Sequence, residues 1–330
     1  MKGFRALLKK DVWLMAAGKF FPMSLVFLIL YTLYVNFGYV RFMEEPIYQV
    51  YLYDPQGTQG DASRLLHRVD SLEEMDAALL HDANAVGIDA STGEAQLILY
   101  GRTEEIDRHR ADYALSLLEP SGSERAKVIG SNTPEQKARK EITCELLFFE
   151  IAAVGFLGIA AILFKEKSMG VIRVHAVLPI QKNLFLLSKL LLFLLCDLIF
   201  ALLLTLLGVG VRDAVSLLPQ VLLQTALLSL IMALTGLVCA LLLKDFRQFT
   251  LAYLVIAIFA ATPVFLVANT AVKLDWIRFH PFYHIYMGLK NAYFEMQEAN
   301  IGYYLGCLAG IAVLFAAARY MFGREMRREG

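Results

Sequence analysis

Residues 184–210, LFLLSKLLLFLLCDLIFALLLTLLGVG, decide the fold. Between the paired leucines and phenylalanines only Lys189 and Asp197 carry charge. The hydrocarbon core of a bilayer is about 30 Å thick and is crossed by roughly 20 apolar residues in a helix. Measured the same way, 21–40, 144–164, 218–243, 249–268 and 301–322 also qualify, giving six spans. The whole composition agrees: of 330 residues 58% are hydrophobic and 19% charged, with a mean hydropathy of +0.54. A disordered chain, a collagen-like repeat and an ordinary soluble domain are excluded, since the last carries about a quarter charged residues. The expected fold is an α-helical integral membrane protein with six transmembrane helices and a small α+β extracellular domain between the first and second.

The first span has no small-x-small cleavage site before Arg41, so it is expected to stay attached as a signal anchor. Orientation follows from the bases that flank the spans. Lys2, Arg5, Lys9, Lys10 and Lys19 precede the first span, and Lys165, Lys167, Arg173, Lys182 and Lys189 follow the second. Lys244 and Arg247 follow the fourth, and Arg319, Arg324, Arg327 and Arg328 end the sixth. A multi-pass protein of the cell membrane is expected, with both termini cytoplasmic and 41–142 outside. The equal totals of 31 bases and 31 acids then conceal a basic inner side and an acidic outer one. A net charge of zero would ordinarily argue against a nucleic-acid partner, and none is expected, but in a chain divided between two compartments the sum alone misleads.

The polar segment 41–142 reads as a domain. Ile47 to Tyr53 alternates as a strand and is closed by the turn Asp54-Pro55-Gln56-Gly57. Ser71 with Glu74 forms a capping box that opens a helix to about Leu80. Short strands near 85–88 and 95–100 follow, then a helix from Thr103 to near Pro120. The Ser/Gly/Pro-rich stretch 120–134 reads as a mobile connection back to the membrane. At the N-terminus, 1–20, the residues Phe4, Leu7, Leu8, Val12 and Met15 share one helical face, as in a helix lying along the inner leaflet. The alternative is a frayed basic terminus.

No C-x-x-C, H-E-x-x-H or G-x-x-x-x-G-K-[ST] occurs, so the chain has no P-loop route to ATP hydrolysis. Cys144, Cys196, Cys239 and Cys307 lie in or beside apolar runs and read as small apolar residues. His280 and His284 stand four apart without further ligands, so no metal is expected, and neighbouring tyrosines fit an interfacial belt. Three residues are candidates for a transport pathway. Asp197, near mid-span, would cost about 2.5–3.5 kcal/mol if exposed to lipid; the alternative is a structural partnership with Gln224, Thr225 or Thr205. Glu150 lies deeper in the second span than Glu145 and needs a polar partner or water. Pro263, after Thr262, removes a backbone donor from the fifth span and would suit a bending gate or a static kink.

The loop after the second span is the most informative. Glu166, Lys167, Gly170 and Arg173 precede Pro179 and Lys189, and Val171, Val174 and Leu178 would share a helical face. Composition alone permits an unremarkable loop helix. The intervals from Glu166 to Gly170, Pro179 and Lys189 are those of the permeases of type-2 ATP-binding-cassette exporters, which this loop resembles. Val171, Arg173 and Ser188 depart from that family's usual Thr, acid and Gly. Leu7-Leu8-Lys9-Lys10-Asp11 with Pro22 is similar to the family's elbow helix. The outer segment is similar to the βαββα domains of its larger members, and His280-Pro281-Phe282-Tyr283 with Leu289-Lys290 to its outer hairpin, here about 269–300.

The resemblance implies a five-helix region over 144–330 with a coupling helix at about 166–178, in which Glu166, Lys167, Gly170, Arg173 and Pro179 meet a cytoplasmic ABC ATPase. It implies ATP and Mg on that partner, no cofactor in this chain, contact with membrane lipid, and a second permease copy or a homologous permease. The implied activity is outward movement of an amphipathic or hydrophobic solute. A membrane-anchored sensor or scaffold whose outer domain binds a ligand is the alternative. An intramembrane enzyme lacks a paired catalytic constellation.

Overall fold

The computed structural model describes residues 2–39, 48–57, 66–81, 85–92, 95–99, 104–118, 134–172, 174, 182–268, 275–295 and 300–329. The chain divides into two compact units, Met1–Val40 with Pro134–Gly330, and Arg41–Thr133.

In the larger unit, helix α1 spans Lys2–Ala17 and α2 spans Phe20–Leu33, continuing as a π-helical turn over Tyr34–Tyr39. Lys19 breaks the two helices apart with a left-handed φ of 56°. The face that α1 buries is Leu7, Asp11, Leu14 and Met15; Val12, expected on that face, is exposed. A carboxylate therefore sits at the centre of a packed helix face, for a reason supplied by its partners below.

Helix α5 covers Pro134–Ser168, α6 Lys182–Val209, α7 Val211–Leu242, α8 Phe246–Ala268, α9 Pro281–Phe294 and α10 Ile301–Glu329. Among the described residues six stretches are long and apolar enough to cross a membrane: Phe20–Tyr39, Glu135–Ser168, Lys182–Val209, Val211–Leu242, Phe246–Leu266 and Ile301–Arg327. The six expected spans are all present. The second begins earlier than hydropathy suggests, because Gln136, Lys137, Ala138, Arg139 and Lys140 are strong helix formers although four are polar. Residues 134–142, read from hydropathy as part of the polar segment, thus belong to α5.

Helix α7 is the hub, packing against α5, α6, α9 and α10. It is apolar on most of its circumference, as a helix surrounded by others must be. Where it crosses α5, Gly236 is obligatory: a Cβ there would lie 2.4 Å from the carbonyl oxygen of Phe156. Small residues let backbones in a membrane approach this closely. Pro219 and Pro263 lie inside α7 and α8, and both helices run on past them. Beside Pro263, the Thr262 hydroxyl donates to the Ile258 carbonyl at 2.8 Å, a common accommodation in apolar helices. Pro281 occupies the first turn of α9, where its missing N–H costs nothing, and His280 stands at the N-cap position without a side-chain capping bond.

The smaller unit contains β1 (Val50–Tyr53), β2 (Leu66–Arg68), α3 (Leu72–His81), β3 (Val86–Asp89), β4 (Gln96–Ile98) and α4 (Glu104–Ser116). The sheet order is β2-β1-β3-β4, with β1 parallel to both neighbours and β4 antiparallel to β3. Val50, Leu52, Val86 and Ile88 bury one face of the sheet with Ala114 of α4; Met75 and Leu79 of α3 pack on the other with Tyr51 and Tyr53. The Ser71 half of the capping box is formed, its Oγ accepting from the Glu74 amide at 3.1 Å, while the Glu74 carboxylate accepts from the amide of Asp70, one residue before the cap, at 3.1 Å. The arrangement is ββαββα, one strand more than expected. Leu66-His67-Arg68 is too short to show alternation, and its parallel pairing with β1 is not a local signal. Ile47 and the expected connection over 120–133 lie outside the described residues.

Candidate functional site

Two features of the helical unit bear on function. The first is an ionic cluster at the end of the bundle that carries Lys165 and Lys167. Lys189 of α6 lies 2.9 Å from Oδ1 of Asp11 and 2.8 Å from Oε2 of Glu166, and all three side chains are fully buried. Lys10 pairs with Glu166 and stands 3.5 Å from Asp11. The Ser188 hydroxyl donates to the second oxygen of Asp11 at 2.9 Å, so the residue that departs from the family's usual Gly has a partner. Two acids and two bases cancel. Such a cluster contributes little net stability, but removing one partner typically costs about 3–5 kcal/mol.

Glu166 and Lys189, singled out by spacing, thus meet each other, and α1 supplies the other two charges. Sequence spacing gave no sign of that meeting; an acid on the apolar face of α1 is the signal that could have revealed it. The next residue, Lys167, donates to the Ala240 carbonyl of α7 at 3.0 Å and lies 3.3 Å from Glu325 of α10. Phe185, beneath the Lys189 ammonium at 4.5 Å, stacks on Phe322 of α10 at 4.6 Å. The root of the loop is therefore fastened to α1, α6, α7 and α10.

Gly170 ends α5 with a left-handed φ of 68°, a position that favours glycine. Its carbonyl accepts from Val174 at 3.2 Å, starting a fresh helical turn. Met169 and Val174 are half-exposed apolar side chains on this loop. Arg173 and Pro179, and the loop over 175–181, lie outside the described residues.

The second feature is a groove of about 1070 Å³ between α2, α5 and α8. Its walls are aromatic and aliphatic, and Glu150 lines it. The Tyr31 hydroxyl donates to Oε2 of Glu150 at 2.9 Å. Thr262 and Phe265 on either side of Pro263 contribute to the wall, whereas Pro263 does not. Asp197 is not among the lining residues. It is buried between α6 and α7, where Ser229 donates to it at 2.6 Å. Of the three partners considered for it, two are engaged elsewhere, Thr205 with Tyr293 at 2.7 Å and Gln224 with Tyr303 at 2.7 Å and Tyr304 at 3.2 Å, and the Thr225 hydroxyl bonds neither Asp197 nor any other group among the described residues.

His280 packs 4.1 Å from the Phe259 ring, and burial holds its imidazole below the ordinary value. His284 bonds the Arg278 carbonyl at 2.8 Å. Among the described residues no group of three His, Cys, Asp or Glu is placed to hold a metal ion.

No curated protein matches the chain. The profile of the ABC-2 family transporter proteins matches residues 114–319, well over half of its length. That match takes in the second to sixth spans, the loop rooted at Glu166 and the Glu150 wall of the groove; the protein is a multi-pass membrane protein that belongs to the ABC-2 transporter family.

Proposed function

We propose that the chain is the membrane-spanning subunit of an ATP-driven exporter and that residues 166–178 are the element its ATPase pulls on. Membership of the ABC-2 family implies an ABC ATPase partner in general. The observation that carries the reading is the fastening of the loop root. Glu166 ties it to α1 and α6, and Lys167 to α7 and α10, so a displacement of the loop is felt at once by four helices. A packed bundle with such ties has discrete arrangements rather than continuous deformations, which is what alternation between inward- and outward-open states needs. Glu166 positions the loop from within, and the exposed apolar side chains of Met169 and Val174 offer the contact surface.

In this reading the basic end of the spans faces the cytoplasm, the smaller unit faces outward, and two copies or two related permeases form one pathway. The groove along α5 is the part of that pathway this chain contributes, and Glu150 is its polar contact. ATP and Mg belong to the partner. The test is purification of the tagged chain from its own membrane. ATP hydrolysis should accompany the wild type and be lost with Met169→Glu and Val174→Glu, while the amount of folded chain is unchanged. Retention of the hydrolytic activity by both variants would remove the loop from the interface.

A further inference from the structure

We propose that the groove between α2, α5 and α8 binds an amphipathic organic cation, with the Glu150 carboxylate holding its positive group and the aromatic walls its apolar body. The proposal rests on the reading of the groove as part of a solute pathway and adds the class of solute.

Glu150 is only 5% exposed, yet one of its two oxygens has no partner among the described residues. Tyr31 satisfies Oε2, and Oε1 is left without a donor. Among the described residues no Lys or Arg lines the groove. A carboxylate in apolar surroundings is costly unless it meets a counter-charge or a full set of donors. Other buried acids of the bundle are met from within: Asp11 and Glu166 by ammonium groups, Asp197 by Ser229. Glu150 has a neutral hydroxyl on Oε2 and no donor on the buried Oε1, and the residue borders the groove.

The walls suit the same ligand. Phe27, Tyr31, Phe149, Tyr253 and Phe265 line the groove, and the negative face of an aromatic ring attracts a cation, most strongly where water is excluded. The lining runs along α5 from Phe148 to Ala161, about 20 Å at 1.5 Å per residue. Glu150 stands near one end, so the ligand that fills the groove has a positive group and an extended apolar body. An anion would meet a like charge, and a lipid chain or the face of a second permease would leave the carboxylate as it is.

The test uses the purified full chain in neutral detergent and two probes of nearly the same shape and opposite charge, tetraphenylphosphonium and tetraphenylborate. Wild type should bind the phosphonium in preference to the borate, and Glu150→Gln should weaken phosphonium binding by at least about tenfold. Tyr31→Phe, which keeps the carboxylate, should keep the preference. Ala153→Lys, one helical turn from Glu150 and also lining the groove, should supply an internal ammonium and abolish the preference even if Glu150→Gln fails to fold.

Equal binding of both probes by wild type would overturn the proposal and assign the groove to lipid or to a second copy. Unchanged phosphonium binding by Ala153→Lys would overturn it as well. Charge-selective binding by a chain that recruits no ATPase would leave the ligand proposal standing without the exporter reading. Charge-blind binding by a chain that does recruit one would do the reverse.

Discussion

Lys189 of the third span and Asp11 of the N-terminal helix meet at 2.9 Å with both side chains fully buried, 178 positions apart in sequence. Together with Glu166 and Lys10, the pair turns α1 from a surface appendage into part of the bundle. Exchange of Lys189 for Met leaves two carboxylates with one ammonium and should cost about 3–5 kcal/mol. The matched double variant Lys189→Met with Asp11→Leu should be less destabilised than the sum of the single changes. Thermal unfolding in detergent, read as a double-mutant cycle, checks this; simple additivity would mean that the pair does not interact.

Gly236 admits no side chain. With a Cβ only 2.4 Å from the Phe156 carbonyl oxygen, Gly236→Leu must force α5 and α7 apart. The expected loss is at least the 1–3 kcal/mol typical of overpacking, seen as a lower unfolding midpoint. An unchanged midpoint would show that the helices do not cross there.

Asp197 is held by Ser229 between two helices and away from the groove. Ser229→Ala and Asp197→Asn should each lower stability, with a coupling of about 0.6 kcal/mol and at most about 1.7, the range measured for hydrogen bonds between membrane helices. Binding of tetraphenylphosphonium should be unaffected by either. A change in binding without a change in stability would return Asp197 to the pathway.

Sidedness can be read from engineered cysteines. Gln56, exposed in the smaller unit, and Met169 on the loop are replaced in turn by Cys in a chain with its own four cysteines removed. An impermeant thiol reagent added to intact cells should label the Gln56→Cys chain, and the Met169→Cys chain only after permeabilisation. The opposite pattern would invert the orientation.

The spans were legible in sequence because a bilayer imposes a length, and 184–210 or 218–243 satisfies it without reference to any other residue. The Ser71 cap was legible for the same reason, since the Glu74 amide that it accepts from lies three residues on. What was not legible depends on distant partners. Asp11 lies on the buried face of α1 because Lys189 and Ser188 meet it there. Asp197 was paired in prospect with Gln224, Thr225 or Thr205, but the helix register brings Ser229 to it instead. Strand β2 exists because β1 offers it a parallel edge, and three residues cannot announce that. The groove itself is made by three helices that are far apart in sequence, so only the isolated polarity of Glu150 hinted at it.

The most direct measurement of the central claim is photo-crosslinking from Met169 in native membranes, with a photoreactive residue introduced at that position and at exposed Gln56 as control. The Met169 adduct should be a polypeptide that carries a P-loop, its yield should change on addition of ATP, and the Gln56 position should give no such adduct. Adducts at Met169 confined to lipid or to a second copy of the chain, indifferent to ATP, would contradict the account.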